Sequence, residues 1–429
     1  MFPIPNGKLS ILELFKSMEL LQRIDSKLTD NLRFRAVLVL CCLLLIIIRE
    51  PALLIHPRLW AEEGCIFYQF ARHHSLYEIF TTVHVGYLTL FNSMVSAMQA
   101  KVFSVESAPV VSTYAGFIIQ LIPVYIIIFT THSFWDTAFK KIICVLVVIV
   151  FMAPEIWLNT TNSHFIFGLI TFLIMTISAN EISVIQKHLF RVLLFIGGLT
   201  GPASILFTPV FIAKAYKEKS REKIIQAGIL TACAITQSLI IMYAILYNNT
   251  YHRLSTHNYR KTIYYFFVDN FSMLPYTSTS YLHPVIFYLS LSFGVLMFAF
   301  WMYLLVNNKK EGDYLISLSS IILVGTFSTL GSLNMEGSPR YSYIPSCIFI
   351  IVIISEVFKI KTTPTKMKYV ASCILIACLL TNIIYYKHGM LNTYQSTFPK
   401  WKEEVSKWRV DSTYCPKVHP GLDPGQCKL

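Results

Sequence analysis

The sequence predicts an all-α, polytopic membrane fold with about eleven crossings of the bilayer, and three observations predict it. Of the 429 residues, 55% are hydrophobic and 14% charged, a far more apolar balance than that of an ordinary soluble domain. Apolar runs long enough to cross about 30 Å of hydrocarbon recur along most of the length. The runs are continuously apolar, as over 38–48 and 142–150. The strands of a transmembrane barrel would instead alternate over segments of about ten residues. Helices, which satisfy their own backbone groups, are what remains.

In chain order, 1–35 is polar and mixed in charge, reads as a cytoplasmic segment rather than a secretory signal, and leaves the first apolar run as an anchor. Spans are expected at 36–53, 108–130, 140–157, 163–179, 189–200, 203–216, 224–247, 283–306, 314–333, 342–358 and 367–385. The pair at 189–200 and 203–216 is short and broken by Gly201-Pro202, so it reads either as two thin spans or as one re-entrant hairpin. Together 36–385 form the predicted transmembrane domain, with exterior loops at 54–107 and 248–282, and 386–429 follow as an exterior tail.

Orientation comes from lysine and arginine, which are retained on the cytoplasmic side in short loops. Lys140 and Lys141, Lys187 and Arg191, the cluster at 214–223, Lys309 and Lys310, and the lysines of 359–368 fall in alternate connections. This pattern predicts a cytoplasmic N-terminus and a periplasmic C-terminus. The formal charge of +13 would suggest nucleic acid for a soluble protein; here its distribution matters more than its total, and nucleic acid is not an expected partner. Membrane lipid is.

The first exterior loop carries the chemistry. It reads His56-Pro57-Arg58-Leu59-Trp60-Ala61-Glu62-Glu63-Gly64. Carboxylates so close to a membrane tend to be functional, although a solvated helix start would also favour them. Adjacent side chains point in different directions, so at most one of Glu62 and Glu63 can be a reacting base, and the residues alone leave open which. Beyond them, Tyr87, Phe91, Met94, Val95, Met98 and Val102 recur at helical spacing, with Asn92, Ser93, Ser96, Gln99 and Lys101 on the other face. This predicts a helix lying in the membrane interface, a second full span being the alternative.

Further exterior residues suit a ligand. His84, Tyr87, Asn159, Asn162 and His164 offer neutral donors and acceptors fitted to sugar hydroxyls. Arg340 and Tyr341 in one short connection, and Arg260 and Lys261 in the long one, suit phosphate, with lipid-headgroup contact the alternative for the latter two. Cys415 and Cys427 can close a small loop in the tail by a disulfide in an oxidising compartment, while the other cysteines lie mainly in spans as packing residues. No zinc-type spacing is present. A divalent metal near the two carboxylates stays open and no other cofactor is expected.

Trp60-Ala61-Glu62-Glu63-Gly64, Gly86-Tyr87-Leu88, the polar run 159–164, Leu199-Thr200-Gly201-Pro202 with Pro209, Arg340-Tyr341 and the spaced Trp401 and Trp408 ahead of His419-Pro420 resemble the recurring pattern of bacterial polytopic glycosyltransferases of GT-C architecture. The resemblance covers almost the whole chain, carried by the order and spacing of short motifs. Within that group the chain is similar to serotype-converting glucosyltransferases that modify O-antigen. The resemblance implies sugar transfer from a polyprenyl-phosphate carrier to a glycan at the periplasmic face of the inner membrane. A first-loop carboxylate would be the base, and a separate synthase and flippase would supply the donor. A transporter or flippase for a lipid-linked sugar is the rival reading, since it too needs many spans and a broken helix.

Overall fold

The computed structural model describes residues 31–247, 266–268, 271, 284–307, 317, 319–325, 339–358, 365–393 and 400–418. Among these the protein is all-helical, with no strand, and an isolated bridge joins Thr89 and Thr200. The helices are α1 (Leu32–Arg49), α2 (Pro51–Ile55), a π-helix (Glu63–Tyr68), α3 (Gln69–His73), α4 (Leu76–Thr81), α5 (Leu90–Lys101), α6 (Ala108–Phe129), α7 (Ala138–Val150) and α8 (Ser163–Thr176). They continue as α9 (Val184–Gly198), α10 (Thr208–Glu218), α11 (Arg221–Tyr247), α12 (Pro284–Asn307), α13 (Pro339–Val357), α14 (Thr365–Thr393) and α15 (Trp401–Val410).

Proline sets several boundaries that hydropathy alone places differently. The apolar run at 36–53 is interrupted after Arg49, where Pro51 opens α2, and the run at 140–157 ends as α7 at Val150, with Pro154 opening a 3₁₀ turn. Proline lacks the amide hydrogen that helix continuation needs but is well placed at a first turn. The run at 189–216 resolves into α9 and α10, which both pack on α11. Gly201 turns the chain between them at φ +82°.

The centre of the bundle is α8 and α13. From Phe165 to Thr176 every residue of α8 is buried, and so is every residue of α13 from Tyr343 to Ile354. Such all-round apolar helices are stable only with neighbours on every side. α6, α9 and α13 pack on α8, and α7 packs on both α6 and α13. In α6, Gly116 lets the backbone approach the Leu158-Asn159 loop, since a Cβ there would stand 2.7 Å from the Leu158 carbonyl carbon. Large apolar side chains cover the outside as well, among them Leu40 and Ile48 of α1, Leu239 and Met242 of α11, and Leu380 and Ile384 of α14. Two helices, Val105–Phe129 and Arg221–Tyr247, are long and apolar enough to cross a membrane.

The two ends of the bundle differ. At one end, buried lysines satisfy the orphan carbonyls that every helix leaves at its C-terminus. Lys141 Nζ donates to the carbonyls of Ile127, Ile128 and Thr130 at the end of α6. Lys223 serves Ile174 and Met175, and Lys214 serves Thr176, at the end of α8. The opposite end holds the starts of α6 and α8 with the loops that precede them.

α5 covers most of the stretch read as an interfacial helix, and it buries much of its polar side along with Val95 and Ala97. Its polar residues Asn92, Ser93, Ser96 and Gln99 are buried against the protein, while Met94 and Met98 are exposed. The exposed apolar side continues through Val102 and Phe103 and through Leu76, Tyr77 and Phe80 of α4.

Candidate functional site

The adjacent carboxylates of the first loop part company. Ala61 takes a left-handed backbone at φ +24°, a strained choice for a residue with a Cβ. The turn beyond it sends Glu63 into the protein, 2% exposed, while Glu62 remains half-buried at the surface of the loop. Glu63 Oε2 accepts the Trp60 amide at 2.8 Å and, more weakly, the Ser112 hydroxyl at 3.4 Å. Its Oε1 accepts both the amide and the hydroxyl of Thr160. One carboxylate thus ties the first loop, α6 and the loop before α8 together. Burial raises the Glu63 pKa above the ordinary carboxylate range, and the four donors work against that rise.

Glu62 lies within electrostatic reach of the Arg340 guanidinium. Arg340, at the start of α13, pairs with Glu155 at 3.4 Å and sits 5.2 Å from the ring centre of Tyr341. The structure therefore brings together three of the expected residues, Glu62, Arg340 and Tyr341, and adds Glu155. Glu155 carried a signal in the sequence: it is an acidic residue inside an apolar run, where charge is costly. Arg49 was also readable in that way. It is buried at the end of α1, with its guanidinium 4.1 Å from the Trp157 ring centre and 4.3 Å from that of Tyr386, and its Nε donates to the Tyr386 carbonyl.

Asn159 and Asn162 shape the loop around Glu63. Asn159 Nδ2 donates to the carbonyls of Glu155 and Trp157, and its Oδ1 accepts the Asn162 amide. Asn162 Nδ2 donates to the same Glu155 carbonyl at 2.7 Å. Both are buried, and these bonds hold the turn in which Leu158 adopts φ +51° and which presents Thr160 to Glu63. Their amides serve the backbone.

Tyr87 and His164 meet, ring centres 6.3 Å apart, beside Gly201, where a Cβ would stand 3.0 Å from His164 Cβ. The Gly86-Tyr87-Leu88 and Leu199–Pro202 motifs pair through Gly201 N–H to the Leu88 carbonyl and Leu90 N–H to the Leu199 carbonyl. Gln237 of α11 clamps both backbone groups of Leu88. Phe165 stands edge-on to Tyr341 and next to His164 in sequence, which links this group to α13. His84 packs elsewhere, on Phe67 and Phe70, and burial lowers its pKa, with His74 adding to the effect.

A bridge between Cys415 and Cys427 is corrected by the structure: Cys415 is a thiol, and the disulfide at this end of the molecule belongs to Cys65 of the π-helix. Local spacing in the tail suggested the closer pair, whereas folding carries the tail to the first loop. Arg260, Lys261 and Cys427 lie outside the described residues. Among the described residues, no three His, Cys, Asp or Glu side chains are grouped to hold a metal ion.

The tail roofs this end. Trp401 Nε1 donates to the Val105 carbonyl at 2.8 Å, Arg409 pairs with Glu106, and the Arg72 guanidinium lies 5.0 Å from the Trp408 ring centre. Within the tail, enclosed Glu404 accepts from Lys407 Nζ, the Tyr414 hydroxyl and the Lys417 amide. Burial works to raise the Glu404 pKa, but these donors prevail and hold it below the usual range. Its folded value being depressed, its contribution is present above the unfolded carboxylate pKa and is lost as pH falls through the folded one. Tryptophan fluorescence of the tail should therefore change on acidification, and Glu404→Gln should remove that pH dependence; an identical acid transition in the variant would refute the assignment. No protein-family model matches the chain, and no curated protein matches it in sequence.

Proposed function

We propose that the chain is an inverting glycosyltransferase of GT-C type that moves a sugar, glucose being favoured, from a polyprenyl-phosphate carrier to a glycan such as O-antigen. It works at the periplasmic face of the bacterial inner membrane, as a multi-pass protein with about eleven spans. The observation that carries this reading is the separation of roles at the loop end: Glu62 half-buried within reach of Arg340, with Glu63 locked beneath it.

Glu62 takes the proton of the acceptor hydroxyl as its oxygen attacks the anomeric carbon, and the bond from that carbon to the carrier phosphate breaks. The electron pair leaves with the phosphate, where Arg340, with Tyr341 beside it, stabilises the departing charge. One direct displacement inverts the sugar carbon. Tyr87 and His164 offer polar groups to the sugar. Glu63 is the positioning residue that holds the loop carrying the base. A divalent metal is not required by these steps and stays open. The donor is made and flipped by other proteins.

The membrane setting is supported by the apolar outer faces of α1, α11 and α14 and by the exposed Met94 and Met98 of α5, which suit the lipid interface. The buried lysines at the opposite end suit the cytoplasmic side. A flippase is the second reading, favoured by the break between α9 and α10 at Gly201. Purified protein in lipid, offered a set of radiolabelled polyprenyl-phosphate sugars and a lipopolysaccharide acceptor, should transfer label to the glycan. No transfer from any donor, alongside protein-dependent movement of the lipid across the bilayer, would overturn the enzyme in favour of the flippase.

A further inference from the structure

Glu155 has no part in the chemistry proposed above, yet its carboxylate holds the cation on which that chemistry depends. Glu155 Oε2 stands 3.4 Å from Arg340 Nε. A contact at Nε grips the guanidinium from its side, so the carboxylate aims the terminal Nη pair, the fork with which arginine binds two phosphate oxygens. Arg340 is 25% and Glu155 35% exposed, so a ligand can reach the pair. Glu62 lies within electrostatic reach of the same guanidinium. We infer that Glu155 is a positioning residue for the transfer reaction: it directs the Arg340 guanidinium toward the carrier phosphate, and the loop 154–162 that carries it fixes the spacing between this cation and Glu62. The inference rests on the proposed function, from which it takes the phosphate as ligand.

The loop is built to hold Glu155 in place. Pro154 opens the 3₁₀ turn Pro154–Ile156, which packs on α13 and α14. The Glu155 carbonyl accepts Nδ2 of both Asn159 and Asn162 at 2.7 Å, so the two buried amides fix the backbone from which its carboxylate projects. Leu158 turns the chain at φ +51°, and Gly116 of α6 admits that turn at close range. Farther along the same loop, Thr160 donates its amide and hydroxyl to Glu63 Oε1, while Glu63 Oε2 accepts the Trp60 amide. Glu62 directly precedes Glu63. One loop therefore reaches the cation through Glu155 and the base through Glu63.

The test is the sign of a change in binding. A radiolabelled, sugar-free polyprenyl phosphate is titrated onto the full-length protein in lipid nanodiscs, where no transfer is needed. On charge alone, removing the Glu155 carboxylate would tighten the binding of an anion. Loss of aim acts the other way, and solvent screens the charge of a half-exposed pair, so Glu155→Gln should bind about tenfold more weakly. Glu155→Asp keeps the charge but not the reach and should weaken binding as well. Thermal unfolding of both variants should stay near wild type, since a half-exposed ion pair adds little to stability. Arg340→Gln should itself bind weakly, and adding Glu155→Gln to it should have no further effect, because a residue that acts through another is not additive with it. Tighter or unchanged binding by Glu155→Gln, or additive effects of the two substitutions, would overturn the inference while leaving Arg340 as the phosphate cation. Wild-type binding by Arg340→Gln would overturn the phosphate role itself, and the inference with it.

Discussion

Replacing Glu62 by glutamine should lower label transfer by roughly 10²–10⁴-fold, the range expected for loss of an essential general base. Thermal unfolding should stay within about 0.5 kcal/mol of wild type, as for a substitution that breaks no buried contact. The amide keeps the shape of the side chain but cannot take a proton from the acceptor. Because the Glu62 carboxylate lies within electrostatic reach of Arg340, the variant leaves that cation with less opposing charge nearby. Donor binding should consequently be retained or tightened while turnover collapses. Titration of a non-transferable lipid-phosphate sugar against both proteins separates the two effects. A variant that transfers at more than a tenth of the wild-type rate would remove Glu62 from the role.

Replacing Glu63 by alanine should destabilise the protein by roughly 2–5 kcal/mol, since each buried donor left without an acceptor costs about 1–3 kcal/mol. The amides of Trp60 and Thr160 both lose their acceptor. Activity should fall because the loop is no longer held, so the diagnostic readout is the pH dependence of stability. Burial raises the folded pKa of Glu63. The contribution that follows is fully present below the unfolded carboxylate pKa and is lost as pH rises through the raised value. Glu63→Gln, which cannot titrate, should flatten that slope. Melting curves of wild type and variant collected across the window decide the matter, and parallel pH profiles would show that the buried carboxyl does not titrate as described.

The sequence carried much of this arrangement. The Gly86–Leu88 and Leu199–Pro202 motifs were both legible as motifs, but their pairing was not; their glycines adopt φ +85° and +82°, conformations a side chain would resist. Arg340 stood out as a lone cation in a short connection; in the structure it pairs with Glu155, and Glu62 is within electrostatic reach. Glu155 and Arg49 were overlooked although each interrupts an apolar run, because the hydropathy of the surrounding residues conceals a single charge. Asn159 and Asn162 are a different case. Asparagine in a polar run suits a ligand or a turn equally well, and only the carbonyls of Glu155 and Trp157 reveal that these two amides are committed to the backbone.

What the sequence by itself determined is the all-helical class and the segregation of polar residues into particular connections, since both follow from composition and spacing along the chain. Tertiary structure decided which of two neighbouring carboxylates is buried, because the partner that holds Glu63 is Thr160, 97 positions away. It decided equally that the tail reaches the π-helix and that Cys65 rather than Cys415 is bonded. Contacts of that kind depend on how helices stack. Local spacing, which is all a single sequence displays, is silent about them.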